Sequence, residues 1–248
     1  MRSSRSWFVF VLAASLVLGP AAGHAGPPYL TDDPEPVEFG HWEVYLAIQH
    51  FVTRGFATGA APLTDINYGA WPGLQLHFMG QLVYARPSGG PTSYGVGDTE
   101  VGAKIRFIPE GDRMPMMSIY PMLDFPTGDA AHQLGSGRVH GFIPLWMQKS
   151  FDPWITFGGG GLWLNPGTGN RNYLYAGWEV QRRVSGLATV GAELFYLSPS
   201  QTGANSNLGF NVGLVLDLSQ YHHLLFSAGR SIVGDNLFQG YAAYQLTL

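Results

Sequence analysis

From His41 onward the chain alternates. Trp42, Val44, Leu46 and Ile48 take every second position, with Glu43, Tyr45 and Gln49 between them. Leu74, Leu76, Phe78, Leu82 and Tyr84 do the same against Gln75, His77 and Gln81, and Leu174, Ala176, Trp178 and Val180 against Tyr173, Tyr175, Glu179 and Gln181. Leu208, Phe210, Val212, Leu214 and Leu216 stand opposite Asn211 and Asp217. A period of two is the period of a β-strand, whose successive side chains point to opposite faces. The sharpest case is Gly97–Phe107. There Asp98, Glu100, Lys104 and Arg106 share one face, and Val101, Ala103, Ile105 and Phe107 the other. Weaker alternation near 61–68, 115–125, 140–150, 154–165, 186–198, 223–229 and 237–248 brings the count to twelve strands, the one at 61–68 having the poorest pattern. No window carries a convincing helical period.

The connectors differ by turns. Tight ones fall near Gly69–Gly73, Pro109–Arg113, Ser150–Pro153, Arg182–Ser185 and Ser219–His222. Longer ones cover 54–60, 87–96, 126–139, 166–171, 199–206 and 230–236. Short turns at one end and longer loops at the other are expected of a transmembrane β-barrel with both termini in the periplasm. Pro121 and Pro144 fall inside strands without a donor for the ladder, so bulges or kinks are expected at both. The run Gly158–Gly161 predicts a bend, or a strip where bulky inward groups need room.

Alternation alone leaves the facing open, because the apolar side could be a soluble core or a lipid surface. Composition decides it. Charged residues are 12% of the chain, about half the share of an ordinary soluble domain, while aromatics reach 14% and glycine 34 residues. So few charges would not cover a soluble surface. At the N-terminus Arg2 and Arg5 precede the apolar run Trp7–Leu18, then small residues lead to Gly23-His24-Ala25. That order is a secretory signal, too short to span a bilayer, and cleavage is expected after Ala25. Residues 26–40 hold four prolines and four acids and are expected to form an irregular periplasmic lead-in, too short for a folded plug though able to tuck into a pore mouth. Residues 41–248 form the barrel. The reading is all-β: a twelve-stranded antiparallel up-and-down barrel in the outer membrane of a Gram-negative bacterium.

Without residues 1–25 the chain keeps 11 of its 13 basic residues against 17 acidic ones, a balance of −6 that argues against nucleic acid. The absence of cysteine removes disulfides, thiolate metal sites and cysteine nucleophiles. By alternation Asp98, Glu100, Lys104, Arg106, Asp124, Glu179 and Glu193 face away from lipid and are the lumen-lining candidates. The four on 98–106 are expected to form a buried or pore-lining ionic ladder. Ser136 with His132 or His140 could serve a barrel enzyme acting on lipids, but no recognisable nucleophile–base spacing supports it. His222-His223 suits a turn better than a metal, since neighbouring strand residues point oppositely. Neither catalytic residues, nor a metal, nor a cofactor are expected. The expected partners are outer-membrane lipids, small solutes and the barrel-assembly machinery.

The run Gly97–Phe107, then Leu123-Asp-Phe-Pro-Thr-Gly-Asp129 and Leu134-Gly-Ser-Gly-Arg138, resembles the outer-membrane family named for the meta-pathway of phenol degradation. The opening Pro27-Pro-Tyr-Leu-Thr-Asp-Asp-Pro34 is similar to that family as well. The resemblance implies a channel or transporter for passive uptake of small, hydrophobic or aromatic compounds, and brings no established binding residues. The alternatives are a lipid-acting barrel enzyme and a non-conducting structural barrel.

Overall fold

The computed structural model describes residues 28–248; the expected signal segment, 1–25, lies outside the described residues. Fourteen strands follow in order: β1 (Trp42–Thr53), β2 (Phe56–Trp71), β3 (Leu74–Pro87), β4 (Ser93–Val96), β5 (Thr99–Ile108), β6 (Met116–Ile119), β7 (Met122–Phe125), β8 (His140–Phe151), β9 (Trp154–Leu164), β10 (Tyr173–Arg183), β11 (Ala188–Leu197), β12 (Asn207–Asp217), β13 (His222–Val233) and β14 (Asn236–Thr247). Every pairing is antiparallel, and β14 returns to β1, with Thr247 opposite Glu43 and Ala242 opposite Ile48, so the sheet closes. Closure leaves no edge whose polar backbone would meet hydrocarbon. β4 and β5 are two pieces of one stave along β3. β6 and β7 are two pieces of another, between β5 and β8. The barrel therefore has the twelve staves that alternation predicts.

The facing follows the pattern too. Leu46, Ile48, Phe78, Ile143, Leu174, Leu194 and Val212 point outward and are 46–56% exposed, while the inward Trp146, Phe157, Glu179, Phe195 and Gln245 are at most 2% exposed. An apolar outside around a partly polar inside is stable only where lipid is the outer solvent. Among the described residues no helix is long and apolar enough to cross a membrane, and the strands make the crossing.

One local expectation, the length of two outer connectors, needs correction, and two others are sharpened. The weakest segment, 61–68, is the core of β2, at 16 residues the longest strand. A register shift between Ala60 and Leu63 changes its phase, and Leu63, Asp65 and Asn67 all face inward, so polar and apolar residues mix on one side. The outer connectors at 54–60 and 230–236 shrink to the turns Arg54-Gly55 and Gly234-Asp235. Gly55 takes φ +82° at the second central position of its turn, a conformation that glycine supplies without steric cost. The interruption between β6 and β7 lies at Tyr120-Pro121, and Pro144 of β8 faces Tyr120 there, whose N–H donates to the Pro144 carbonyl (3.2 Å). The two prolines thus concentrate their missing donors at one level of the wall.

The glycine run of β9 permits close backbone approach. A Cβ on Gly158 would lie 2.5 Å from the Gly177 carbonyl, and one on Gly161 2.5 Å from the Ile143 carbonyl. Gly159 also makes room for the Trp146 ring, which a Cβ would meet at 3.0 Å.

Candidate functional site

The lead-in is irregular, as its prolines require, but it does not hang in the periplasm. It crosses the inside of the barrel. The Pro28 carbonyl accepts from Ser227 of β13. The Leu30 and Thr31 N–H groups both donate to the Glu193 carboxylate of β11, each at 2.9 Å. Thr31 Oγ1 meets Tyr175 Oη of β10 at 2.9 Å. Lys104 of β5 donates to Asp32 (3.2 Å) and lies 3.6 Å from Asp33. Further along, Ser118 of β6 donates to the Pro34 carbonyl, and Val37 N–H donates to Gln75 of β3 (2.9 Å). An irregular backbone shut inside a barrel must find partners for its polar groups, and here they come from four strands around the wall, with two more holding its side chains. Thr31 and Asp33 are at most 1% exposed.

The wall is cut to fit this segment. A Cβ on Gly191 would meet Tyr29 Oη at 2.6 Å, and Cβ atoms on Gly213 and Gly177 would collide with Tyr29 and Thr31 respectively. Glu193 is further held by Asn211, which accepts from Gln239 (2.6 Å), which in turn accepts from Asn236 (2.5 Å). This amide chain runs from the extracellular turn at Gly234-Asp235 down to the lead-in.

Above the lead-in, toward the longer loops, the lumen is aromatic. Tyr173 stacks on Trp163 (5.8 Å between centroids, 9° between planes), and Trp163 on Phe142 (4.6 Å, 8°). Phe142 then meets Tyr175 edge-on at 6.1 Å, and Tyr175 meets Trp146 at 6.0 Å. The arrangement is a file of rings from the mouth to Thr31. Below the lead-in, a cavity of about 830 Å³ opens among the short turns, lined in part by Glu35, Gln148, Trp154, Gln181 and Val215. Beside it, in the turn after β5, Glu110 accepts from Lys149 Nζ, Ser150 N–H and Ser150 Oγ at 2.8–3.0 Å. Partial burial works against the Glu110 carboxylate, yet these donors hold its pKa below the ordinary 4.5.

The structure scatters the seven candidate lumen residues among several tasks. Asp98 sits between β4 and β5 and accepts from the N–H groups of Gly128 (3.0 Å) and Ser136 (2.7 Å), fastening loop 126–139 at the mouth. Glu100 pairs with His77 (2.9 Å), which also contacts Asp65 (3.1 Å), and it faces Asp124 across the β5–β7 seam. Lys104 and Glu193 hold the lead-in. Glu179, fully buried, accepts from Gln181 (2.7 Å) and faces Glu193 across the β10–β11 seam. Arg106 lies level with Ser118. The expected ladder along 98–106 is thus a correction. Residues i and i+2 of one strand lie about 7 Å apart, whereas cross-strand neighbours come within about 5 Å, so Asp98, Glu100 and Lys104 find their partners off their own strand.

Residue patterns missed the lead-in's binding groups, Gln75, Ser118, Tyr175 and Ser227, and the aromatic file. The one available signal was the acidic pair Asp32-Asp33, which complements Lys104. Ser136 Oγ donates to the Arg138 carbonyl and His132 engages Asp129 (2.7 Å), so the two sit in separate contacts. His222 bonds Tyr244 (2.6 Å) and His223 bonds Asp217 (2.8 Å), and among the described residues no group of three or more possible metal ligands gathers.

No protein-family model and no curated protein matches the chain. Solved structures do. The COG4313 outer membrane channel from Pseudomonas putida F1 superimposes with a TM-score of 0.66 at 15% identity, over 87% of this chain and 98% of that one. The KdgM porin follows at 0.55 and 12% identity, over 82% and 97%, and a second structure of it, in complex with disordered oligogalacturonate, at 0.55 and 14%. At such identities the likeness speaks for fold. With the apolar outer belt and the filled, polar-lined interior, it makes this chain a twelve-stave transmembrane β-barrel of the outer-membrane type.

Proposed function

We propose that this protein is an outer-membrane channel for passive uptake of small apolar or aromatic molecules. The observation that carries the reading is the file Tyr173–Trp163–Phe142, stacked inside the barrel from the extracellular mouth down to Trp146 and Tyr175. A planar apolar solute gains offset-stacked and edge contacts at each ring and loses little water-bound polar surface on the way. The interior also speaks against polyanions such as the oligogalacturonate of the KdgM complex. Asp65, Glu100 and Asp124 face inward, while Lys104 is committed to Asp32 and Asp33. Uptake of aromatic compounds is also what the likeness of residues 97–138 to the phenol meta-pathway family implies. The lead-in makes the resting channel narrow, and its bonds must loosen for a solute to pass along the axis.

The test uses intact Gram-negative cells and N-phenyl-1-naphthylamine, an aromatic probe that fluoresces only in a membrane. Cells carrying the barrel should take it up faster than cells without it, and Trp163→Ala with Phe142→Ala should remove most of the gain. Equal rates with and without the barrel would refute the reading.

A further inference from the structure

The wall of this barrel is weak in one place. The stave formed by β6 and β7 has four residues in each piece, and prolines strike both of its seams at one level. Across the seam to β8, Tyr120 N–H donates to the Pro144 carbonyl (3.2 Å); across the seam to β5, Ala103 N–H donates to the Pro121 carbonyl (3.1 Å). In an antiparallel ladder each such pair returns a second bond from the facing N–H. Pro144 and Pro121 have no N–H to return, so the carbonyls of Tyr120 and Ala103 each lose their ladder donor. No water in the hydrocarbon makes up the loss. Above this level β7 meets β8 through Met122–Phe142, Leu123–Gly141 and Asp124–His140 alone, and then the wall gives way to loop 126–139. The next seam, β8 to β9, runs unbroken from Gly141–Leu164 to Phe151–Trp154.

The weak seam separates two apolar environments. Phe142, a member of the aromatic file, and the half-buried Met122 pack together on its inner side. On its outer side Leu123 and Ile143 are 46% and 54% exposed to lipid. Straight ahead of a solute at Phe142 lies the lead-in, with Thr31 against Tyr175. Sideways, one strand's thickness away, lies hydrocarbon, which apolar surface prefers to the aqueous mouth below. We infer that apolar aromatic solutes leave the barrel sideways, through the β7–β8 seam into the outer leaflet, rather than past the lead-in. The inference rests on the uptake reading above.

The chain has no cysteine, so Leu123→Cys with Gly141→Cys places the only two thiols on register partners of the lipid face. Leu194→Cys with Phe210→Cys does the same on the β11–β12 seam and serves as the control. Uptake of N-phenyl-1-naphthylamine by intact cells is read before and after oxidation and again after reduction. Oxidation of the β7–β8 pair should bring uptake down to the rate of cells lacking the barrel, reduction should restore it, and the control pair should respond to neither. Independently, Pro144→Ala restores the donor on the β8 side and should slow uptake about fivefold, the ratio that one net hydrogen bond corresponds to. Fast uptake through the oxidised β7–β8 pair, with wild-type uptake still above background, overturns the sideways route and leaves the uptake reading intact. Wild-type uptake at background overturns both.

Discussion

Glu193 does more than line a lumen. One oxygen accepts from Leu30 N–H and Asn211, the other from Thr31 N–H, so its charge is spent on holding the lead-in. Glu193→Gln removes one acceptor and turns an amide N–H toward a backbone N–H. Charge-assisted bonds of this kind are worth about 1.5–3 kcal/mol each. The expected outcome is a lead-in that a protease added to the reconstituted barrel can clip, together with a rise in single-channel conductance. Lys104 acts from the opposite wall. Lys104→Met leaves Asp32 and Asp33 facing a buried apolar side chain, and breaking such a buried pair from one side costs about 3–5 kcal/mol. We expect the same protease sensitivity, with the barrel itself still folded, read as unchanged migration of the unheated protein on gels. These roles were only half written in the residues. Alternation put both side chains on the inner face, but the partner that engages them is 70 or more positions away in sequence, beyond the reach of any local pattern.

Glycines divide by what their missing side chains make room for. A Cβ on Gly160 would strike the backbone of β10 at the Tyr175 carbonyl, and backbone cannot move aside. Gly160→Ala should therefore lower the unfolding temperature in detergent, with an overpacking cost of about 1–3 kcal/mol. Gly213→Ala meets Tyr29, whose ring and hydroxyl supply its three nearest atoms. It should leave that temperature unchanged and raise conductance, because Tyr29 and not the wall gives way. The turn after β5 adds a dependence on pH. The Glu110 pKa lies below its ordinary 4.5, so its bonds to Lys149 and Ser150 stabilise the barrel fully above that value and fade as pH falls through the lowered one. The gap in unfolding temperature between wild type and Glu110→Gln should accordingly be present at neutral pH and vanish at acid pH. At this scale the pattern read well where one face was uniformly apolar: the alternating positions predicted on 42–48 and 208–216 fall inside β1 and β12. It placed a strand at β2 but saw only half of its length, because a register shift and the mixed inner face of Leu63, Asp65 and Asn67 hide the period.

Taken whole, the molecule is a barrel with its own N-terminal segment bound inside. Removing residues 28–37 would leave Glu193, Lys104, Gln75 and Ser118 without their partners, all on the inner wall where water can reach once the segment is gone. The closed ring of twelve staves does not depend on that segment for any ladder bond. We therefore expect the shortened protein to fold and resist dodecyl sulfate unheated, and to conduct several times better in planar bilayers. A shortened barrel that conducts no better than the full chain would mean that the lead-in is not the constriction.

The sequence by itself determined the class, the membrane and the facing. These depend on a two-residue period and on scarce charge, both of which are local and additive along the chain. Only the tertiary structure decided what stands inside. Closure sets β10, β11 and β13 across the lumen from β3 and β5, and that juxtaposition lets a short acidic segment be held from both walls at once. The register of β8, β9 and β10 lines Phe142, Trp163 and Tyr173 into one stack, although they come from three different strands. Pairing of β6 and β7 with β8 also sets Pro121 beside Pro144, so that two scattered departures from strand propensity become one weak seam.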